Sequence, residues 1–544
     1  MASKSQKLKE VFPATVLLLL LFAIARYVDF SGDFALNDDW GYSTPVRWWI
    51  EDNVFQLTHW QSMPLIPQLV GGAIWTSVFG FEQEALRRLG VLFAALGLIG
   101  TYGLARALSV PRWGALFFAS LLLASPIYTT LTFSFMSDVP FAALATLATW
   151  ALVASFKYEG KQHNLVLLFG AALVLLAVAQ RQTGLGIPIA FLLAQFVRPD
   201  HSWGKILAAL LLLVASVLLI AAVPKILSAY QMLPRVYFFQ TETLIRYFND
   251  LISLSPHALL PPLKAGLHGL SYMGLFLFPA LPLILSALRL HYSWILATGV
   301  CSLVLTGLAL WQNQLLLLEP DSDVLNWEGV GPRLVPGVMP VPLVMSIVLT
   351  ALAFWISLTT CLAAFRNIQW RRSIPNAAAA TVFLAGLISY GPHMAAYFIL
   401  FDRYTLFPSA VIGLAIFSLL DLPERIGPTA YGAFALALAG IVFSALLVAD
   451  HFDWQRARAS VLETAVSTNG IDPGMLDAGF EANNLEHVLD NQNQAHTINW
   501  IEAHQRTFTI AKSPLEGYEV LIAKPVPQRV GPARAVYLLR KSGY

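Results

Sequence analysis

Apolar runs long enough to cross a bilayer recur through the first 449 residues of this chain, and that repetition leaves few folds open to it. A hydrocarbon core about 30 Å thick takes a helix of about 20 apolar residues. Such runs lie near 11–28, 87–108, 113–130, 139–156, 164–180, 184–198, 205–224, 266–289, 292–311, 340–364, 375–400, 405–421 and 428–449. The chain therefore reads as a polytopic α-helical membrane protein with thirteen predicted spans. Charged residues are only 12% of the 544 and hydrophobic ones 57%, so each charge placed beside the bilayer needs a reason. Lys4, Lys7 and Lys9 precede the first run like the basic end of a signal peptide. No Ala-x-Ala site follows, and the run reads as an uncleaved first span. Cys301 and Cys361 both fall inside apolar runs, which excludes a disulfide framework and a cysteine metal site.

The basic residues orient the spans. With the N-terminus cytoplasmic, Arg106 and Arg112, Lys157 and Lys161, Arg198 and Lys205, Arg289, Arg366 with Arg371 and Arg372, and Arg425 all fall on one side. This is the positive-inside pattern, and an odd number of spans then puts the C-terminus outside the plasma (inner) membrane. Three outer segments are too long to be turns: 29–86, 225–265 and 312–339. The first contains two short Trp-rich amphipathic pieces, 46–55 and 63–78, expected to lie as interfacial helices with Trp48, Trp49, Trp60 and Trp75 at headgroup depth. From residue 450 the composition turns polar, with strand-like runs at 519–523 and 535–539. The expected organisation is a membrane domain over 1–449 and a small α/β outer domain over 450–544. In that domain Asp472, Asp477, Glu481 and Glu486 read as a solvated surface.

Against this apolar background Asp38-Asp39-Trp40-Gly41-Tyr42 is the strongest chemical signal. A helix N-cap accounts for one acid. The alternative is a carboxylate, partly desolvated by Trp40 and Tyr42, acting as general base on an acceptor hydroxyl or amine. Two abutting acids also suit a divalent cation, although no His or further acid lies nearby in sequence. Ser137-Asp138 precedes the fourth span and suits an N-cap or a site on the same face as Asp38. Arg181 and the Asp402-Arg403-Tyr404 run sit at outer span ends, where arginine is otherwise depleted. A snorkelling Arg181 and a self-neutralising Asp402–Arg403 pair are the simple explanations, whereas together they suggest an anionic ligand such as a lipid phosphate. Arg333 lies in the Pro/Gly-rich 312–339 loop, either as an exposed residue or in a mobile cover, and His59 reads as structural. No nucleotide-type glycine loop, His-Glu-x-x-His or Gly-x-Ser-x-Gly is present, and an outer site has no access to ATP or nucleotide sugars, so an activated donor has to be a lipid.

These motifs, in this order and sidedness, resemble the GT-C class glycosyltransferases of the protein O-mannosyltransferase and aminoarabinose transferase superfamily. Asp38-Asp39 resembles that superfamily's first-loop acidic motif, and Met63-Pro64-Leu65 its interfacial Pro-Pro-Leu. Ser137-Asp138, Arg181-Gln182-x-Gly184 and Asp402-Arg403-Tyr404 through Pro408 look like motifs of its bacterial members, as Asp477-Ala478-Gly479-Phe480-Glu481 does in the tail. Where the aminoarabinose enzymes carry a Lys beside the Pro pair, this chain has Gln61-Ser62-Met63, so another residue has to supply that phosphate contact.

The resemblance implies an inverting glycosyltransferase that takes a sugar from a polyprenyl-phosphate carrier to a glycan, lipid or protein acceptor. Asp38 and Asp39 would be catalytic. Trp40, Tyr42, Asp138, Arg181, Arg333, Arg403 and Tyr404 would bind substrate. No cofactor is required beyond the lipid-linked donor, a divalent metal is allowed, and the expected partners are membrane lipids and the acceptor, with no nucleic acid. A transporter or lipid flippase is the alternative. It calls for midplane charges and inverted repeats, neither of which the sequence displays. A catalytically silent scaffold is a third reading.

Overall fold

The computed structural model describes residues 4–200, 202–230, 232–287, 292–311, 316–318, 323–326, 328–331, 335–336, 342–367, 374–395, 400–420, 422–490, 506–530 and 534–543. Arg333 and the ends of four predicted spans, at 288–289, 340–341, 396–399 and 421, lie outside them.

Helix α1 (Lys4–Val28) leads into the first loop, which holds α2 (Asp39–Glu51) and α3 (Ile66–Phe79) where pieces were expected at 46–55 and 63–78; α2 begins seven residues earlier than expected and stops at Glu51. Then α4 (Gln83–Ala107), α5 (Arg112–Ala124) with α6 (Pro126–Thr132), α7 (Asp138–Ser155), α8 (Gly160–Gln180), α9 (Gly186–Val197) and α10 (Trp203–Ala229) run up and down. After α11 (Phe239–Ile252) come α12 (Leu260–Leu277) with α13 (Leu281–Ala287), α14 (Tyr292–Trp311), α15 (Leu343–Asn367), α16 (Ile374–Tyr390), α17 (Leu406–Phe417) and α18 (Pro428–Glu463). A two-stranded hairpin, β1 (Leu325–Asn326) and β2 (Gly329–Val330), stands between α14 and α15.

Each of the thirteen predicted runs contains helix among the described residues. Among the described residues nine helical stretches are long and apolar enough to cross a bilayer, and the α5–α6 pair, bent by 71°, makes a tenth. The runs at 184–198, 375–400 and 405–421 form the shorter helices α9, α16 and α17. Three 3-10 turns, Gln182–Leu185, Gly391–Ala395 and Asp402–Thr405, adjoin them, gathered at one end of the bundle. The α5–α6 break has a local cause: Pro126 begins α6, which leaves Ser125 extended. The Ala124 carbonyl freed there is taken by Ser444 Oγ of α18 at 2.9 Å.

Close helix approach comes from glycines. A Cβ on Gly103 of α4 would meet Trp150 of α7 at 2.4 Å, and one on Gly274 of α12 would meet the Ala353 carbonyl oxygen of α15 at 1.8 Å. Such small-residue contacts replace the hydrophobic driving force that lipid does not provide. Many buried hydroxyls bond within their own helices, as in Thr101 to Gly97 O and Thr149 to Ala145 O.

Counting up and down, the ends carrying Arg106, Arg112, Lys157, Lys161, Arg198 and Lys205 share one face of the bundle. Asp38, Asp138, Arg181 and Arg403 share the other. Beyond that second face a four-stranded sheet has the order β3 (Leu476–Asp477), β4 (Phe508–Ala511), β6 (Arg534–Lys541), β5 (Tyr518–Val526). The strands β5 and β6 contain the two predicted runs, and helix α19 (Phe480–Asp490) joins β3 to the rest. The expected boundary at 449–450 falls inside α18, whose last turns, with Trp454 and Val461, form a core with Ile510, Val536 and Leu538 of the sheet. Composition changes at 450 while the helix does not.

Candidate active site

The first loop is shaped from below. Buried Arg87 of α4 donates to the carbonyls of Phe30, Gly32 and Phe34 and lies 4.4 Å from the Phe34 ring centroid. Asn37 takes a left-handed φ of 53°, and Asp39 accepts from Leu36 N at 2.6 Å and Phe135 N at 3.5 Å. Burial pushes the Asp39 carboxyl up to about 7, with Arg87 opposing. Asp38 is the N-terminal flanking residue of α2 but makes no side-chain cap bond; its Oδ2 meets Arg403 Nη2 at 2.7 Å. The capping account of Asp38 is therefore corrected, and the two acids diverge. With both Asp39 oxygens held by backbone amides, the pair does not offer joint ligands to a cation. No group of three His, Cys, Asp or Glu side chains arranged to hold a metal occurs among the described residues.

Asp402 does not neutralise the guanidinium of its neighbour. Its carboxylate accepts backbone N–H groups from Val324, Leu325 and Arg403 at 2.7 to 3.2 Å and so anchors the β1–β2 hairpin. Asp323, on the same segment, places Oδ2 2.9 Å from Arg403 Nη1 and accepts from Asn37 Nδ2 at 3.1 Å. One buried guanidinium thus holds two carboxylates that lie far apart in the chain, Asp38 and Asp323. Burial raises the Asp323 carboxyl, with Arg403 opposing and Asp38 reinforcing.

Arg181 has an extended backbone at the end of α8. Gln180 Nε2 bonds Gln68 Oε1 at 2.6 Å, and Gln68 Nε2 bonds Phe135 O at 2.7 Å, which ties α3, α8 and the Phe135 segment together. Arg181 Nη2 lies 2.9 Å from Asp138 Oδ1 and donates to Ser137 Oγ. The Asp138 contact is an ion pair lacking hydrogen-bond geometry. Arg181, Arg403, Asp138, His393 and Tyr404 line one small cavity of about 10 Å³, where His393 stacks on Tyr404 with centroids 4.4 Å apart. Tyr42 lies within the field of Asp38, Arg403, Arg181 and Asp138, and burial raises its phenol above the ordinary range. Leu406 lines both this cavity and a much larger one of about 730 Å³, walled mainly by apolar residues of α12, α15 and α18.

Residues 69–227 match the family model for dolichyl-phosphate-mannose-protein mannosyltransferase. The superfamily resemblance seen in the motifs is borne out over that segment, which includes Asp138 and Arg181 but neither Asp38 nor Arg403. No curated protein matches the sequence. Among solved structures, the oligosaccharyltransferase AglB from Archaeoglobus fulgidus, in complex with an inhibitory peptide and a dolichol-phosphate, is 13% identical with a TM-score of 0.42. That match covers 86% of this chain and 59% of the archaeal one, so the chain spans about three-fifths of that enzyme's length. ArnT from Cupriavidus metallidurans bound to undecaprenyl phosphate is 13% identical with a TM-score of 0.41, and 97% of each chain is covered.

Most of the predicted residues converge: Asp38, Tyr42, Asp138, Arg181, Arg403 and Tyr404 gather at one end of the bundle. Trp40 does not offer a ring to a ligand. It is fully buried, with Trp60 and Phe480 centroids 5.8 and 6.1 Å away, because α19 covers it. Arg333 lies outside the described residues. The tail acids are not all a solvated surface. Asp477 is buried and accepts from Asn483 Nδ2, and Glu481 is fully buried and paired with Arg458 at 2.5 Å. Burial raises the Glu481 carboxyl, with Arg458 opposing. Asp472 caps the turn at Gly474, and the Glu486 side chain lies outside those described. Sequence reasoning missed Asn37, Asp323 and His393; the one available signal was an acid in a long loop assigned to the correct face.

Proposed function

We propose that the protein is an integral membrane glycosyltransferase, inverting at the anomeric carbon, that takes a sugar from a polyprenyl-phosphate carrier at the extracytoplasmic face. The observation that carries this reading is a pair of buried arginines, each holding a carboxylate, lining one cavity that shares Leu406 as a wall with a large apolar cavity. A long isoprenoid suits the apolar cavity, and its phosphate suits the arginines. The family match over 69–227 and the charges gathered at one bundle end both support an enzyme over a transporter.

In this reading the donor phosphate competes with Asp38 and Asp323 for Arg403, while Arg181 supplies a second cation. Drawing the guanidinium off Asp38 frees that carboxylate to accept a proton as the acceptor oxygen or nitrogen attacks the anomeric carbon. The new bond forms on the face opposite the breaking carbon–oxygen bond to phosphate, and polyprenyl phosphate leaves with its charge met by Arg403 and Arg181. Asp39 keeps the turn that aims Asp38, and Tyr42 and Tyr404 flank the phosphate as neutral phenols.

The test is Asp38→Asn in the full-length protein, with undecaprenyl phosphate titrated into bilayer discs and sugar transfer followed by mass spectrometry of envelope glycans. Affinity is kept or improved, because a competitor for Arg403 is gone, while transfer falls by about a hundredfold to ten-thousandfold. Normal transfer by the folded variant removes the base assignment.

A further inference from the structure

The hairpin that brings Asp323 to Arg403 is held from two directions. On the bundle side Asp402 takes the amides of Val324 and Leu325. On the other side the C-terminal sheet grips the hairpin's far end. Lys512 Nζ lies 2.6 Å from Glu328 Oε2, with both side chains largely buried, and Lys512 N donates to Pro336 O at 2.9 Å. Arg534 donates to the Glu328 carbonyl. Inside the hairpin Asn326 Nδ2 bonds Gly331 O at 2.8 Å and Glu328 N bonds Asn326 Oδ1 at 2.9 Å, so Asn326 braces the hairpin's two strands against each other.

The sheet is itself fixed to the bundle. Arg529 pairs with Asp450 at 3.0 Å and with Asp453 at 2.5 Å, and Phe480 and Glu481 of α19 pack beside Trp40 and Arg458. A displacement of the sheet's grip therefore reaches Asp323 through a short stiff element.

We propose that the C-terminal sheet is a positioning element of the site: Lys512 and Arg534, acting through Glu328, hold Asp323 on Arg403 and so set how much positive charge Arg403 offers to an incoming phosphate. This rests on the reading of Asp38, Arg403 and Asp323 as the phosphate-facing cluster. With the latch closed, Arg403 is shared by two carboxylates, and an anion has to displace one of them. With the latch broken, Asp323 leaves and the guanidinium is half free. The consequence has an unusual sign, since a substitution in a different module strengthens anion binding.

The experiment uses the full-length protein in bilayer discs with undecaprenyl phosphate as the probe, together with amide hydrogen exchange over 323–331. In Lys512→Met, exchange at Val324 and Leu325 accelerates by about tenfold or more. Undecaprenyl phosphate binds about fivefold more tightly, the same direction as in Asp323→Asn, where the competing charge is removed directly. The charge-swapped pair Lys512→Glu with Glu328→Lys returns both readouts toward wild type. A purely structural contribution of Lys512 instead weakens binding along with stability and shows no rescue by the swap, which overturns the proposal. If Lys512→Met leaves exchange and affinity unchanged while Asp323→Asn still tightens binding, the latch is wrong and the site stands. If neither Asp323→Asn nor Arg403→Met alters affinity, the site reading fails and takes the latch with it.

Discussion

Replacing Arg403 with methionine keeps much of the side-chain volume and removes the single cation that Asp38 and Asp323 share. Both carboxylates are more than nine-tenths buried and lie within 2.9 Å of that guanidinium. Removing one partner of a buried ion pair typically costs about 3 to 5 kcal/mol, because the group left behind stays desolvated and unpaired. The cost carries a pH signature. In the native protein burial raises the Asp323 carboxyl and Arg403 opposes; without Arg403 it rises further. An unfolded Asp titrates near 3.8. Below that value both states are protonated and the loss of the cation is nearly silent. Up to the wild-type folded value of about 7 both proteins keep the Asp323 proton and lose stability alike; above it wild type ionises beside Arg403 and levels off, while the variant still has to keep its proton or bury a bare charge, and its stability falls relative to wild type. The deficit in apparent melting temperature of Arg403→Met, read by intrinsic fluorescence in detergent, is therefore larger at pH 8 than at pH 5. Adding Asp323→Asn recovers part of it. Equal deficits at both pH values, or no recovery from Asp323→Asn, would refute the shared-guanidinium account.

Two further outcomes test the rest of the site and the layout. Asp39→Asn sets an amide NH₂ against one of the two backbone N–H groups that the carboxylate accepts, so it lowers stability by about 1 to 3 kcal/mol while undecaprenyl phosphate affinity holds. Because the folded Asp39 carboxyl sits at about 7 against 3.8 unfolded, wild-type stability carries a component that declines as pH rises from about 4 to 7. Melting curves across that range lose the component in the variant, and a stable Asp39→Asn that no longer binds the lipid would exchange the roles of the two acids. For sidedness, reporter fusions at Gly160 and Gly470 give opposite signals; equal signals would remove the extracytoplasmic placement of the site.

The helices were legible because their cause is local: each apolar run reports its own burial, whatever its neighbours. The 3-10 turns at the ends of α8, α16 and before α17 were not, since they are apolar too and differ from helix only in how they meet the cluster. Asp38 and Arg403 stood out one by one through the cost of charge beside lipid. Their pairing across 365 residues is a tertiary fact with no local trace. Asp323 escaped notice for the opposite reason, because an acid in a polar loop carries no visible cost until Asn37 and Arg403 bury it. Trp40 and Glu481 were misread together: neither the aromatic nor the acid reveals from sequence that α19 will cover one and be sunk by the other.

Helix α18 runs for 36 residues without interruption, about 54 Å at 1.5 Å per residue. A bilayer core of about 30 Å accounts for little more than its first 22, and residues 450–463 stand as a post about 21 Å tall. The sheet is mounted on that post, with no flexible tether between them, so its height over the membrane plane is fixed. Under the function proposed above, a bulky acceptor would not lift it aside but would arrive sideways, between the sheet and the lipid surface.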